Sequence, residues 1–275
     1  MYYVRFFVNL VLPNVEKNVN NPKKTNKMKI PKSLLLILFY LVSFQINSQE
    51  TVDHSPWDQI LVLNVTEDGL VDYDGVTNDV IVFYKYFRYL QNVSPENHWS
   101  KEEKLAYWLN VYNATVMKMI IDEYPITSIN QLEDPWKRKV FKSNNVRYSL
   151  DDIEHKILRK FGDPRIHFLL NCGSMSSPRL WNRAYTSENI EYALDERTRE
   201  FINDPQRNQI NSQTVRISQL FEWYEDDFIS NNVDVIDFIN EYSTITIDKN
   251  MKKKYVTYDW NLNKNHEKTP ITSNN

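Results

Sequence analysis

One cysteine and four glycines in 275 residues set the first limits on this chain. A single thiol excludes an intrachain disulfide and any cysteine-rich metal site. The glycines, Gly69, Gly75, Gly162 and Gly173, fall far short of the roughly 7% usual in globular chains. They cannot build a glycine-rich phosphate loop, which argues against Rossmann and P-loop enzymes. Basic residues are not in excess: 33 Lys+Arg face 36 Asp+Glu, a net of −3, so nothing points to a nucleic-acid partner. No apolar run reaches the about 20 residues of a membrane-spanning helix. No His/Cys/Asp/Glu cluster has metal-ligand spacing, nothing calls for a cofactor, and Gly-x-Ser-x-Gly and glycosidase signatures are missing.

A core is affordable. Hydrophobic residues make up 41% of the chain and aromatics 13%, which excludes a disordered protein and suits one or two domains. Lys29 and Lys32 precede an apolar run from Leu34 to Phe44. That run spans about half of a bilayer core at 1.5 Å per residue, so it reads as a secretory signal peptide over 28–48, cleaved near Ser48. No cysteine follows it, which excludes a lipoprotein anchor. Residues 1–27 read as an upstream extension, with translation starting at Met28. Residues 1–48 hold seven of the basic residues and one acid, leaving 26 basic and 35 acidic residues, a net of −9. The remainder, 49–263, reads as one exported acidic domain followed by a polar tail, 264–275. Its ligand is expected to be a small molecule or peptide, with no nucleic acid and no stable membrane insertion.

Patterning gives an α+β domain, with helices packed around a small, mostly antiparallel sheet. Helices are expected at Trp57–Val65, at Asn78–Gln91, and from Ser100, which opens a capping box with Glu103, to about Glu123. On this last helix Leu105, Trp108, Leu109, Tyr112, Val116, Met119 and Ile120 share a face. A hairpin is expected around Ser143-Asn144-Asn145. Ser149 caps a helix from Leu150 to Phe161 that Gly162 ends. The apolar stretch Arg165–Cys172 reads as a buried strand. Thr186 caps a helix to about Asn203, a helix follows at Val233–Glu241, and short strands are expected at Thr214–Ile217 and Lys253–Trp260.

Cys172, last in the 165–172 stretch and followed by Gly173 and Ser174, is either a core hydrophobe or a nucleophile. A thiolate needs a base or a positive field. His155 lies on the preceding helix, and His167 falls on the opposite strand face, where an undistorted strand points it away. Asn171 can orient a ring or donate to an oxyanion, and Arg165 can hold a carboxylate. Glu154 falls in the middle of an apolar helix face, so it is either paired, with Arg159 or Arg165, or an acid or base of shifted affinity. Asn113 at the edge of the long helix's stripe either clamps a loop or meets a ligand. Trp181, Trp223 and Trp260 read as core.

Five segments together, YWLNVYNA at 107–114, SLDDIEH at 149–155, DPRIHFLLNCG at 163–173, AYT at 184–186 and YDWNLN at 258–263, resemble the domain of unknown function 547 family and run in its order. The resemblance brings no settled activity, but it implies roles for Asn113, Glu154, His155, Arg165, His167 and Cys172, and it agrees with export. The family commonly has Ser-Cys-Pro where this chain has Ser176-Ser177-Pro178. A function resting on that second cysteine is therefore lost here or moved to Ser177, while one resting on Cys172 survives. The expectation is an exported thiol hydrolase or acyl transferase acting on an amide or ester: Cys172 attacks, His155 or His167 acts as base, and Glu154 or Asn171 orients it. The alternative is a binding or scaffold module in which the polar cluster is structural.

Overall fold

The computed structural model describes residues 52–211, 213–229 and 234–266. The chain divides into Met1–Glu50 and Thr51–Asn275, and every described residue lies in the second unit. The expected leader, its apolar run and the start at Met28 lie outside the described residues, as do 267–275 of the tail. Among the described residues no helix is long and apolar enough to cross a membrane.

The domain is α+β, with its strands in two small sheets. It opens with α1 (Ser55–Asn64), α2 (Tyr73–Asn78) and α3 (Val80–Asn92). Only α2 was not expected; the Asp72 side chain starts it by accepting from Gly75 N. The long helix α4 (Lys101–Asp122) begins where Ser100 Oγ accepts from Glu103 N. All but one of its residues from Leu105 to Ile121 are buried, so it is a core helix of this domain rather than an amphipathic surface helix. Hairpin β1 (Phe141–Ser143) and β2 (Val146–Tyr148) pairs as the turn residues foretell. Asn144 and Asn145 both have positive φ, 47° and 62°, the conformation of a two-residue type I′ loop. Phe141 then meets Phe87 of α3 edge-on, ring centres 5.7 Å apart.

Next comes α5 (Leu150–Lys156), held by a complete capping box. It is shorter than expected: beyond Ile157 the chain tightens into a 3₁₀ turn, Leu158–Phe161, before left-handed Gly162. The larger correction concerns Arg165–Cys172, which is not a strand. Asp163 Oδ1 accepts from Arg165 N, and Pro164 starts a 3₁₀ turn over Pro164–Phe168. A proline with fixed φ behind a capping aspartate favours a helical start, and this local chemistry overrides the apolar run. The alternating-face argument for His167 falls with the strand.

Helix α6 (Ile190–Asn203) follows a Thr186–Asn189 turn. Strand β3 (Gln209–Ile210) pairs antiparallel with β4 (Val215–Ser218), and β4 pairs in parallel with β5 (Lys253–Val256), Ser218 opposite Val256. Two short helices, α7 (Leu220–Trp223) and α8 (Glu225–Phe228), and then α9 (Val235–Tyr242) lie between β4 and β5. Phe168 packs among Phe201, Phe221, Phe228 and Phe238 with centres 5.0–6.1 Å away, which ties the 164–168 turn to α6–α9.

Candidate active site

The site is built on α4. Two of its buried amides, one turn apart, imitate peptide groups and clamp loops. Asn110 Nδ2 donates to Tyr185 O (2.7 Å) while its Oδ1 accepts from Tyr185 N (3.1 Å). Asn113 Nδ2 donates to Leu169 O and its Oδ1 accepts from Asn171 N, both 3.0 Å. Asn113 is thus the loop clamp of the two readings. Asn171 holds the next turn: its Nδ2 donates to Ser177 Oγ and Pro178 O, and its Oδ1 accepts from Gly173 N. Gly173 has φ +77°, and a Cβ there would come 2.5 Å from Ile120 Cδ1, so this loop sits hard against α4. Segment 259–263 laces along it: Met175 N donates to Asn261 O, Ser176 N to Asp259 O, and Asn263 N to Gly173 O.

These constraints surround a pocket of about 280 Å³. Cys172, His155, His167 and Glu154, the four side chains singled out for chemistry, all line it, together with Ser177. Arg165, Asn113, Asn171 and Ser176 do not. Arg165 is held by Asp163 (2.8 Å) and Glu191 (2.9 Å), and Ser176 Oγ accepts from Asp259 N. Trp223 and Trp260, expected in the core, stand in the pocket wall, and Trp223 is 46% exposed.

Glu154 pairs with neither expected arginine. Arg159 instead grips Asp227 with Nε and Nη2, each 2.6 Å from a different oxygen. Buried Glu154 accepts from Tyr112 Oη (3.3 Å) and hydrogen-bonds Tyr224. Its Oε1 faces His167 Nδ1 at 3.8 Å. His167 is 1% exposed and stacks on Tyr224, centres 4.0 Å apart. Its Nε2 donates to Asp227 Oδ2 at 2.7 Å, while its Nδ1 has no hydrogen-bond partner. Burial opposes ionisation of Asp227, but His167 and Arg159 outweigh it and hold the carboxylate well below its usual range. His155 is exposed and accepts at Nδ1 from Arg159 Nη1 (3.3 Å).

Cys172 is half-buried. Its Sγ lies 3.1 Å from Ser174 Oγ and 3.4 Å from Tyr258 Oη, and these two hydroxyls lie 3.1 Å apart. Burial pushes the thiol up, and the hydrogen bonds from Ser174 and Tyr258 offset part of that rise. Burial also drives Tyr112, Tyr224 and Tyr258 upward, so their hydroxyls stay protonated and remain donors. Among the described residues no group of three or more His, Cys, Asp or Glu is placed to hold a metal ion.

Residues 96–202 match the model of the family described as protein of unknown function, DUF547. Over this segment the chain is similar to that family. No curated protein and no solved structure matches the chain. The pocket reaches past the matched segment, since Leu220, Trp223, Tyr224, Tyr258 and Trp260 in its wall all come later in the chain, as does Asp227, which holds His167. Sequence reasoning missed Asp227 and Tyr224, the partners of His167. Their only signal was an acidic run, Glu225-Asp226-Asp227, that looks like a solvated surface. Tyr112 was on the correct face of its helix but was read as an apolar member of the stripe.

Proposed function

We propose that the pocket is the active site of a hydrolase or acyl transferase acting on a small amide or ester, with Cys172 as the attacking group. The observation that carries this reading is the convergence of one thiol, two imidazoles and a buried carboxylate on a single pocket. Asp227 holds one nitrogen of His167 as a triad carboxylate holds its imidazole. The free Nδ1 is left as the basic atom, sharing its side of the ring with Glu154. The resting thiol is neutral, so attack is coupled to proton removal. The sulfur bonds to the carbonyl carbon, the thiol proton passes to the imidazole–carboxylate relay, and that proton leaves with the departing amine or alcohol. Water, or an acceptor in its place, then attacks the thioester; the acyl group departs and the sulfur regains a proton.

p-Nitrophenyl acetate is a direct probe. An acetyl adduct on Cys172 by intact mass, lost in Cys172→Ala, is expected together with nitrophenolate release. His167→Gln should slow release by about 10²–10⁴-fold, the usual share of a general base. Release that survives undiminished in Cys172→Ala, or no adduct between pH 6 and 9, overturns the reading. A binding module is the second reading, favoured by the sulfur's partners, which are hydroxyls. It expects Cys172→Ala to cost about 1–3 kcal/mol of stability with ligand binding intact. Export belongs to the same proposal and is supported by the basic and apolar pattern of 28–48. Mass spectrometry of the native N-terminus should find a start near Gln49, and a peptide from residues 5–23 would overturn the start at Met28.

A further inference from the structure

The walls of this pocket carry information about its ligand. Six aromatic side chains, Tyr112, Trp136, Trp223, Tyr224, Tyr258 and Trp260, line it. Trp260 is the hub, its ring centre 4.5 Å from Tyr258, 5.9 Å from Trp223 and 6.0 Å from Trp136. The carboxylates of the lining are Asp151 and Glu154, and no Lys or Arg stands among the described lining residues. Arg159 passes over Tyr224 at 5.8 Å, but both arms of its fork are engaged by Asp227, so it adds no free positive charge. Asn, Gln and Arg, the planar donors that usually read sugar hydroxyls or a ligand carboxylate, are likewise missing from the described lining.

We infer that the pocket selects a ligand bearing a compact positive charge, an ammonium group on a small amide or ester, seated among the ring faces and balanced by Glu154 and Asp151. This rests on reading the pocket as a substrate site. A cation over an aromatic face gains about 0.5–2 kcal/mol, more as water is excluded, and several rings around one ammonium form the aromatic cage of such sites. An anionic ligand would meet two carboxylates and the negative faces of the rings. A volume of about 280 Å³ lies just under the roughly 300–1,000 Å³ of ordinary ligand sites, which suits a ligand the size of an amino-acid amide. The net of −9 over residues 49–275 draws cations toward the domain.

Tetramethylammonium chloride is the probe, titrated into the full chain at constant ionic strength and followed by the fluorescence of the wall tryptophans. tert-Butanol serves as the neutral isostere and glucose as the sugar control. Tetramethylammonium should bind at least tenfold more tightly than tert-butanol, with no saturable response to glucose. Glu154→Gln should weaken it about tenfold and Asp151→Asn several-fold. If Glu154→Gln fails to fold, Trp223→Leu at the exposed rim tests the cage, with a several-fold loss of affinity at unchanged melting temperature. Equal affinity for tert-butanol, or saturable glucose binding, overturns the inference. The readouts are separate from thiol chemistry: cation binding without an acyl adduct sinks only the proposed reaction, and an adduct without cation preference sinks only this ligand class.

Discussion

At the scale of single residues, burial decides which groups titrate. His54 is the clearest case outside the pocket. It is 6% exposed and its Nδ1 shares a hydrogen bond with Tyr86 Oη at 2.7 Å. Burial lowers its pKa from about 6.5 to about 4, with a small opposing pull from Asp53. The unfolded chain takes up a proton near pH 6.5, whereas the folded protein resists until about pH 4. Stability from this group is therefore complete above pH 6.5 and is lost as pH falls toward 4. By pH 4.5 the loss is about 2–3 kcal/mol at 1.36 kcal/mol per unit. His54→Gln keeps a hydrogen-bonding partner for Tyr86 and removes the titration, so urea unfolding at pH 7 and 4.5 should show a flatter pH dependence by about that amount. Parallel slopes in the two proteins would refute it. The pocket follows the same rule, since burial keeps the Cys172 thiol and the Tyr112, Tyr224 and Tyr258 hydroxyls protonated at rest. Such environments were legible in the sequence only where an ionisable residue fell on an apolar face, as Glu154 did. For His167 the expected strand placed the ring on the face away from Cys172, and with a 3₁₀ turn in its place both side chains line one pocket.

At the scale of elements, the short helix α5 matters most, because it brings Asp151, Glu154 and His155 to the pocket. Seven residues are too few to be helical alone, so end contacts and packing hold it. Ser149 Oγ accepts from Asp152 N (3.1 Å) and Asp152 Oδ2 accepts from Ser149 N (3.0 Å). Lys156 Nζ donates to Asp152 Oδ1 at 2.6 Å. That lysine, with the Ser149 bond behind it, pulls the Asp152 carboxyl down to about 2. Ser149→Ala should cost about 1 kcal/mol, as lost caps do, while Ser149→Thr keeps most of it. The same substitution should weaken tetramethylammonium binding, because the carboxylates ride on this helix. A cap loss that leaves both stability and binding untouched would show that packing alone positions α5. Local signals of this kind were readable: the Ser149 cap, the Asn144-Asn145 turn and the Ser100 start each rest on neighbouring residues. The 165–172 stretch misled because an apolar run alone does not separate a strand from a buried turn, and Asp163-Pro164 carried the deciding information.

At the scale of the whole molecule, closure depends on pairings that no local pattern records. Asn263 is the knot. Tyr73 Oη donates to its Oδ1 (2.7 Å), its Nδ2 donates to Gly69 O (3.0 Å), its N–H reaches Gly173 O, and its carbonyl accepts from Val71 N. One residue near the C-terminal end thus ties the first helices to the loop that carries Cys172, and Lys264 and Asn265 extend the pairing with Val71. The side-chain partners are about 190 positions away in sequence, so periodicity and capping rules could not name them; only the resemblance over 258–263 marked the segment. Asn263→Ala removes both side-chain bonds and leaves the buried Tyr73 hydroxyl and Gly69 carbonyl unpaired. At about 1–3 kcal/mol for each orphaned group, a loss of about 2–4 kcal/mol is expected in urea unfolding at pH 7. Asn263→Asp keeps the acceptor for Tyr73 but has no donor for Gly69, so it should fall between Ala and the native protein. If the knot also sets the pocket, both variants should alter the fluorescence of Trp260, three residues upstream, before any global unfolding. A change under about 0.5 kcal/mol in Asn263→Ala would mean that the main-chain pairings of 259–265 close the domain without this side chain.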